Sequence, residues 1–161
     1  MALRELGINM NLAPVADVVE SGDHFLFNRS YSGDPEEVAS FVEAVVSGYE
    51  KAGVVAVVKH FLGHGAAAGD THRGLPVVTL SREELEKGHL LPFRRAVDVG
   101  VPAVMAASVE SLKAGADLLL VGHTLARQAL VEAVRNGGVS EERLDAAVLR
   151  VLRLKREHGI W

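Results

Sequence analysis

The sequence has no cysteine among its 161 residues, which excludes disulfides and thiolate metal sites and leaves the redox compartment open. No apolar run approaches the ~20 residues of a transmembrane helix, so no membrane partner is expected. No cluster of Lys and Arg stands out, and a net charge of −4 gives no electrostatic footprint for nucleic acid. The N-terminus, MALRELGINM, lacks the charge, apolar block and small-residue site of a signal peptide, so a cytoplasmic location is the default expectation. No stretch has the composition of a linker or a low-complexity tract. What remains, 48% hydrophobic and 24% charged, suits a single α/β domain over residues 1–161 with a real core.

What is present is a repeat of strand, loop and helix. The segment Ile8–Val19 starts with extended character and is interrupted by Pro14. Asp34, Pro35, Glu36 and Glu37 read as a helix start: a cap, a proline at the first position and two carboxylates at the positive dipole end. Val38, Phe41, Val42, Val45 and Tyr49 follow at helical spacing, and Gly53 is the expected stop. The run Val54–Val58 has the continuous β-branched character of a strand buried on both faces of a parallel sheet. Ser81 to Glu84 spell a capping box, with Pro92 expected to divide the helical region that follows and Phe93–Val99 to continue it. Val101–Ala106 and Ala116–Val121 read as further strands, and Val109–Ala114 as a short helix. Thr124–Arg135 and a final helix capped by Ser140 complete the pattern, with Leu144, Ala147, Val148, Val151 and Leu152 as the last helix's buried stripe. The phrases AGVVAVVKH, VGVPAVMAAS and AGADLLLVGH share one layout, glycine, apolar strand, then small or polar exit. That layout predicts about four parallel βα units. A closed (β/α)₈ barrel usually takes ~250 residues, more than this chain offers.

The chemistry-bearing stretch is Lys59–Pro76, KHFLGHGAAAGDTHRGLP, with three histidines, four glycines and one aspartate behind the apolar strand. A phosphate cradle fits poorly, since Ala68 stands where a third glycine is needed and no Gly-Lys-Ser/Thr follows. His60, His64, Asp70 and His72 supply enough donors for a metal, but the histidine pair straddles glycines instead of riding a helix face. Asp70 and His72 lie two apart in a glycine-flanked segment, so the carboxylate can orient the imidazole and favour its protonated form, as acid/base chemistry on a sugar requires. A plain solvated loop with turn-making glycines accounts for the same residues equally well, and the residues alone leave both readings open.

The same stretch resembles the catalytic loop of glycoside hydrolase family 3, specifically its bacterial β-N-acetylhexosaminidase branch, which carries K-H-F-P-G-H-G, then D-S-H, then L-P at this spacing. GINMNLAPVADV, NRSYSGDPEEVA, LLPFRRAVDVGVPAVMAA and AGADLLLVGH are similar to further phrases of that branch, so the resemblance covers nearly the whole chain. It implies a fold derived from a (β/α)₈ TIM barrel, no cofactor, and an N-acetylglucosamine-containing sugar as partner. It also implies His72 as general acid/base, Asp70 as its orienting partner, and Lys59, His60 and Arg29 as residues holding the sugar where the bond is cut. Such enzymes are retaining, with a separate aspartate attacking the anomeric carbon.

Departures from the pattern carry equal weight. Leu62 replaces a proline, Ala66 and Ala67 stand where Asp-Thr is common, and Ser108 stands where the branch has histidine. VESLKAGAD then resembles the helix behind the nucleophile strand, while that strand, with its D-D-L-like phrase, is missing. The chain also begins after the family's early D-x-E-G-G-R-type segment. Asp17 and Asp23 are the aspartates whose location suits a substitute nucleophile, with a structural role the competing reading for Asp17. The implied protein is a truncated, internally deleted barrel, engineered or reconstructed, with little or no activity. It is expected either as an open flavodoxin-like sandwich or as a half-barrel pairing in a homodimer. A scaffold without function and a weak sugar-binding module are the alternative readings.

Overall fold

The valine run Val54–Val58 becomes the centre of the structure. A computed structural model of the protein describes residues 3–67, 78–106, 115, 117 and 124–160. They fall into two compact units, Met1–Val104 and Met105–Trp161.

Strands β1 (Met10–Asn11), β2 (Val55–Phe61) and β3 (Ala103–Ala106, whose first two residues end the first unit) form one sheet in the order β1-β2-β3. β1 and β2 pair in parallel, Met10 opposite Val55 and Asn11 opposite Ala56. All five residues Val54–Val58 are buried, as a strand covered on both faces requires. Helix α1 (Pro35–Lys51) starts where its cap was expected, the Asp34 carboxylate accepting the Glu36 and Glu37 N–H groups at 2.8 and 3.4 Å. Gly53, with φ +66°, takes the left-handed conformation just beyond it. Ser81 and Glu84 make the predicted reciprocal capping box at the start of α2 (Arg82–Lys87). Pro92 sits in the first turn of α3 (Leu91–Asp98), where its missing N–H costs nothing, so the region divides as expected.

The core gathers Ala16, Val18, Val38, Val42, Val46, Ala56, Val58, Phe93 and Ala96, from β2, the segment beside it, α1 and α3. Phe41 shares the helical spacing but not the burial. At about 100° per residue, Val38, Ala39, Val42 and Val46 form one inward face, and Phe41 falls on its flank. There it is half exposed and stacks on Tyr31 at 5.1 Å between ring centres.

The second unit holds α4 (Thr124–Arg135) and α5 (Glu141–Glu157), the latter capped by Ser140, whose Oγ accepts the Arg143 N–H at 3.1 Å. Val139 and Ala147 are buried against Leu130, Ala133 and Val134. The predicted stripe on α5 is only partly covered: Ala147 is buried, while Val148 and Leu152 are 50% and 39% exposed. The small side chain of Ala147 allows close approach at one point, and the larger residues on either side spread beyond the strip that this cluster covers. The expected helix at Val109–Ala114 and strand at Ala116–Val121 lie outside the described residues.

Replacing Asp34 with alanine leaves the Glu36 and Glu37 amides without their cap. Urea unfolding is expected to show a loss of about 1 kcal/mol with an unchanged m-value.

Candidate functional site

β2 ends in Lys59-His60, and what stands beside it follows from backbone pairing. The segment after β1 continues along β2: the Val57 N–H donates to the Ala13 carbonyl at 3.1 Å, Lys59 N–H to Pro14 at 3.1 Å, and Ala16 N–H to Lys59 at 2.6 Å. This register sets Asp17 next to His60. Asp17 has no exposed surface. A buried carboxylate is costly unless hydrogen-bonded, and here Oδ2 accepts the His60 ring Nδ1 at 2.7 Å and the His60 backbone N–H at 3.3 Å. Oδ1 accepts the backbone N–H of His64. The Asp17 main-chain carbonyl takes the Ser30 hydroxyl at 2.6 Å, which ties in the turn carrying Arg29.

The glycines of the loop do more than turn the chain. Gly63 has φ +105°, and a Cβ there would lie 2.7 Å from the His89 Cβ. A Cβ on Gly65 would strike the carbonyl oxygen of Val18, the residue after Asp17. Gly65 lets the turn His64–Ala66 close down on the segment that bears the carboxylate, and Gly63 lets its start pass against His89.

Rings continue the arrangement. His60 and His64 lie 5.5 Å apart, and Phe25 meets His64 edge-on at 6.0 Å. Phe25 also stacks on His24 at 4.7 Å. His24 accepts the Leu26 N–H at Nδ1 (3.1 Å) and, in the tautomer this requires, donates from Nε2 to the Ala67 carbonyl at 3.2 Å. It thereby holds the end of the turn that leads toward Asp70.

Of the residues expected to form a site, Lys59 and His60 stand together at the exit of β2, with Arg29 near enough for its charge to reach Lys59. Burial holds the Lys59 ammonium below its usual pKa range, Arg29 adds to this, and Asp17 opposes it. Asp70 and His72 lie outside the described residues. Among the described residues no group of three His, Asp or Glu side chains is placed to hold a metal ion. Asp117 is engaged elsewhere, paired to Arg150 and Arg143 at 2.6 and 3.1 Å, and Arg150 foremost holds its carboxyl below the ordinary range.

Sequence reasoning passed over His24 and His89, and weighed Asp17 only as a spare nucleophile or structural residue. A usable signal for Asp17 existed: one carboxylate inside PVADVV must find donors if its neighbours are buried. Nothing in the local sequence marks His89, which comes from the turn between α2 and α3. Its Nδ1 is buried without a hydrogen-bond partner, and burial lowers its pKa against the opposing pull of Asp17 and Glu20.

Residues 1–110 match the family described as glycosyl hydrolase family 3 N terminal domain. A β-hexosaminidase from Nitrosomonas eutropha is 36% identical over 107 residues, covering 66% of this chain and 31% of that protein. One from Xylella fastidiosa is 39% identical over 107 residues, covering 66% and 32%. The chain thus spans about a third of the length of these curated relatives. Among solved structures, a glycoside hydrolase family 3 β-N-acetylglucosaminidase from Paenibacillus sp. superposes with a TM-score of 0.81 at 33% identity, over 98% of this chain and 41% of that one. The α/β architecture described above is that of a barrel fragment.

The lowered pKa of His89 has a signed consequence. As pH falls, the unfolded chain takes up this proton before the folded one does. Stability present above the ordinary histidine value of about 6.5 is therefore lost as pH drops below it. Urea midpoints measured from pH 7.5 to 5 should fall less steeply for His89→Gln than for the wild type. Equal slopes would contradict this assignment.

Proposed function

The chain belongs to glycosyl hydrolase family 3, and on that premise we propose that it carries the sugar-holding and acid/base portion of a β-N-acetylhexosaminidase barrel without a complete catalytic set. The observation that carries this reading is the gathering of three groups about buried Asp17 at the exit of β2: His60 on its carboxylate, the Arg29–Ser30 turn on its main-chain carbonyl, and Lys59 within reach of its charge. Strand ends are where barrels of this type place substrate contacts. In the proposal, Lys59 and Arg29 donate to sugar hydroxyls, and His60 contributes a ring nitrogen to the same subsite. His72, oriented by Asp70, gives its proton to the glycosidic oxygen as the bond to the anomeric carbon breaks.

What is proposed to be missing is the attacking aspartate. Two facts support this. The family match ends at residue 110, where the joint to VESLKAGAD falls, and the remaining residues contain no nucleophile phrase of the expected kind. Asp17, the best-placed substitute, is fully buried with both oxygens engaged, so no face of it is open to an anomeric carbon. An acid without a nucleophile leaves only residual rate. The chain accordingly binds an N-acetylglucosaminide and turns it over slowly or not at all, as a unit lost by engineering or by natural deletion would leave it.

Two measurements test this together. Titration calorimetry with millimolar N-acetylglucosamine should give heat, and Lys59→Ala and Arg29→Ala should each weaken binding about tenfold or more, the worth of a hydrogen bond to a charged group. Nitrophenyl β-N-acetylglucosaminide should show no hydrolysis that His72→Ala removes. Absence of heat would sink the sugar subsite. Turnover that depends on both Asp70 and His72 would mean that another carboxylate serves as nucleophile.

A further inference from the structure

Asp17 takes no part in the chemistry proposed above, yet its carboxylate is the most heavily engaged acceptor at the site. Two of its three donors are the backbone N–H groups of His60 and His64, whose protons are fixed and can only be given. They fall on different oxygens, Oδ2 and Oδ1, so both ends of the carboxylate already accept. The remaining contact, His60 Nδ1 to Oδ2 at 2.7 Å, therefore takes its proton from the imidazole. Whenever the ring is neutral its proton therefore sits on Nδ1 and Nε2 is left unprotonated, and the side chain is about one-fifth exposed.

We propose that Asp17 is the positioning residue of this site. It locks His60 in the Nδ1–H tautomer, so that Nε2 offers a lone pair to a sugar hydroxyl and complements the donors Lys59 and Arg29. Through the His64 amide, the same carboxylate holds the turn His64–Ala66 in register with the imidazole. The inference rests on the sugar-subsite reading for what Nε2 is used for, but not for the state of the ring. A subsite with two cationic donors and one acceptor nitrogen distinguishes a polyhydroxylated ligand, whose hydroxyls both donate and accept, from a plain anion, which only accepts.

Long-range proton–nitrogen NMR of the histidine side chains, at a pH where the imidazoles are neutral, reads the tautomer directly. The wild type should show His60 protonated at Nδ1. In Asp17→Asn the carboxamide oxygen can keep the His64 amide while its NH₂ faces the ring, at the loss of the longer bond from the His60 backbone N–H. His60 should then invert to the Nε2–H form, and N-acetylglucosamine affinity should drop about tenfold as an acceptor becomes a donor. A purely structural Asp17 would change stability without inverting the tautomer. A wild-type His60 protonated at Nε2 would overturn the proposal, as would an unchanged tautomer in folded Asp17→Asn. Should that variant fail to fold, the wild-type spectrum alone decides. Lack of sugar binding alongside an Nδ1–H wild type would overturn the subsite reading and leave the positioning of His60 standing.

Discussion

A carboxylate with no solvent exposure, placed inside an otherwise apolar segment, is the constraint around which this site is arranged. The effective penalty for burying such an ion without partners is several kcal/mol, comparable with the whole stability of a small domain. Asp17 escapes that penalty by drawing donors from two places in the chain: the His60 ring and amide at the exit of β2, and the His64 amide in the next turn. Its own carbonyl reaches a third, the Ser30 hydroxyl beside Arg29. One residue thus ties its own segment to the Ser30 turn, 13 residues on, and to the β2 exit and its following turn, 43 and 47 residues on. The glycines follow from the same closeness, because Gly65 packs where the Val18 carbonyl leaves no room for a Cβ.

The rest of the first unit supplies rigidity. β2 is held by pairing with β1 and by burial of all five valine-run residues, and α1 and α3 cover it with Val38, Val42, Val46, Phe93 and Ala96. A strand so constrained cannot slide, since a one-residue slip would turn each side chain to the opposite face. Lys59 and His60 therefore leave the sheet at a fixed point. Arg95, between Glu36 and Glu43 at 3.2 and 3.3 Å, joins α3 to α1 on the outer surface. Being exposed, that ion network contributes orientation more than stability.

How much of this was legible beforehand depended on whether the deciding interaction was local. Asp34, Ser81 and Ser140 cap the helices they were expected to cap, and Pro92 divides its region, because each effect acts within one turn of chain. The valine run was legible because no exposed strand tolerates such composition. The α5 stripe was overread because helical spacing marks a face, while the width of that face is set by what packs on it. Lys59, His60 and Arg29 were singled out through a family resemblance. Asp17, which sits among them, acts through its carboxylate across 43 residues to His60 and 47 to His64, a range at which spacing carries no information. His89 was invisible for the same reason, entering from a turn and meeting Gly63 only in three dimensions.

The Asp17 clamp belongs to the folded core and is not a transient contact of a surface loop. Native-state hydrogen exchange of the His60 and His64 backbone amides tests it most directly, because both donate to this one carboxylate. Both should exchange only with global unfolding, alongside the amides of Val55 and Val57 in β2. Exchange of the His64 amide at the rate of an open surface loop would contradict it, and would reduce the convergence on Asp17 to a contact without organising force.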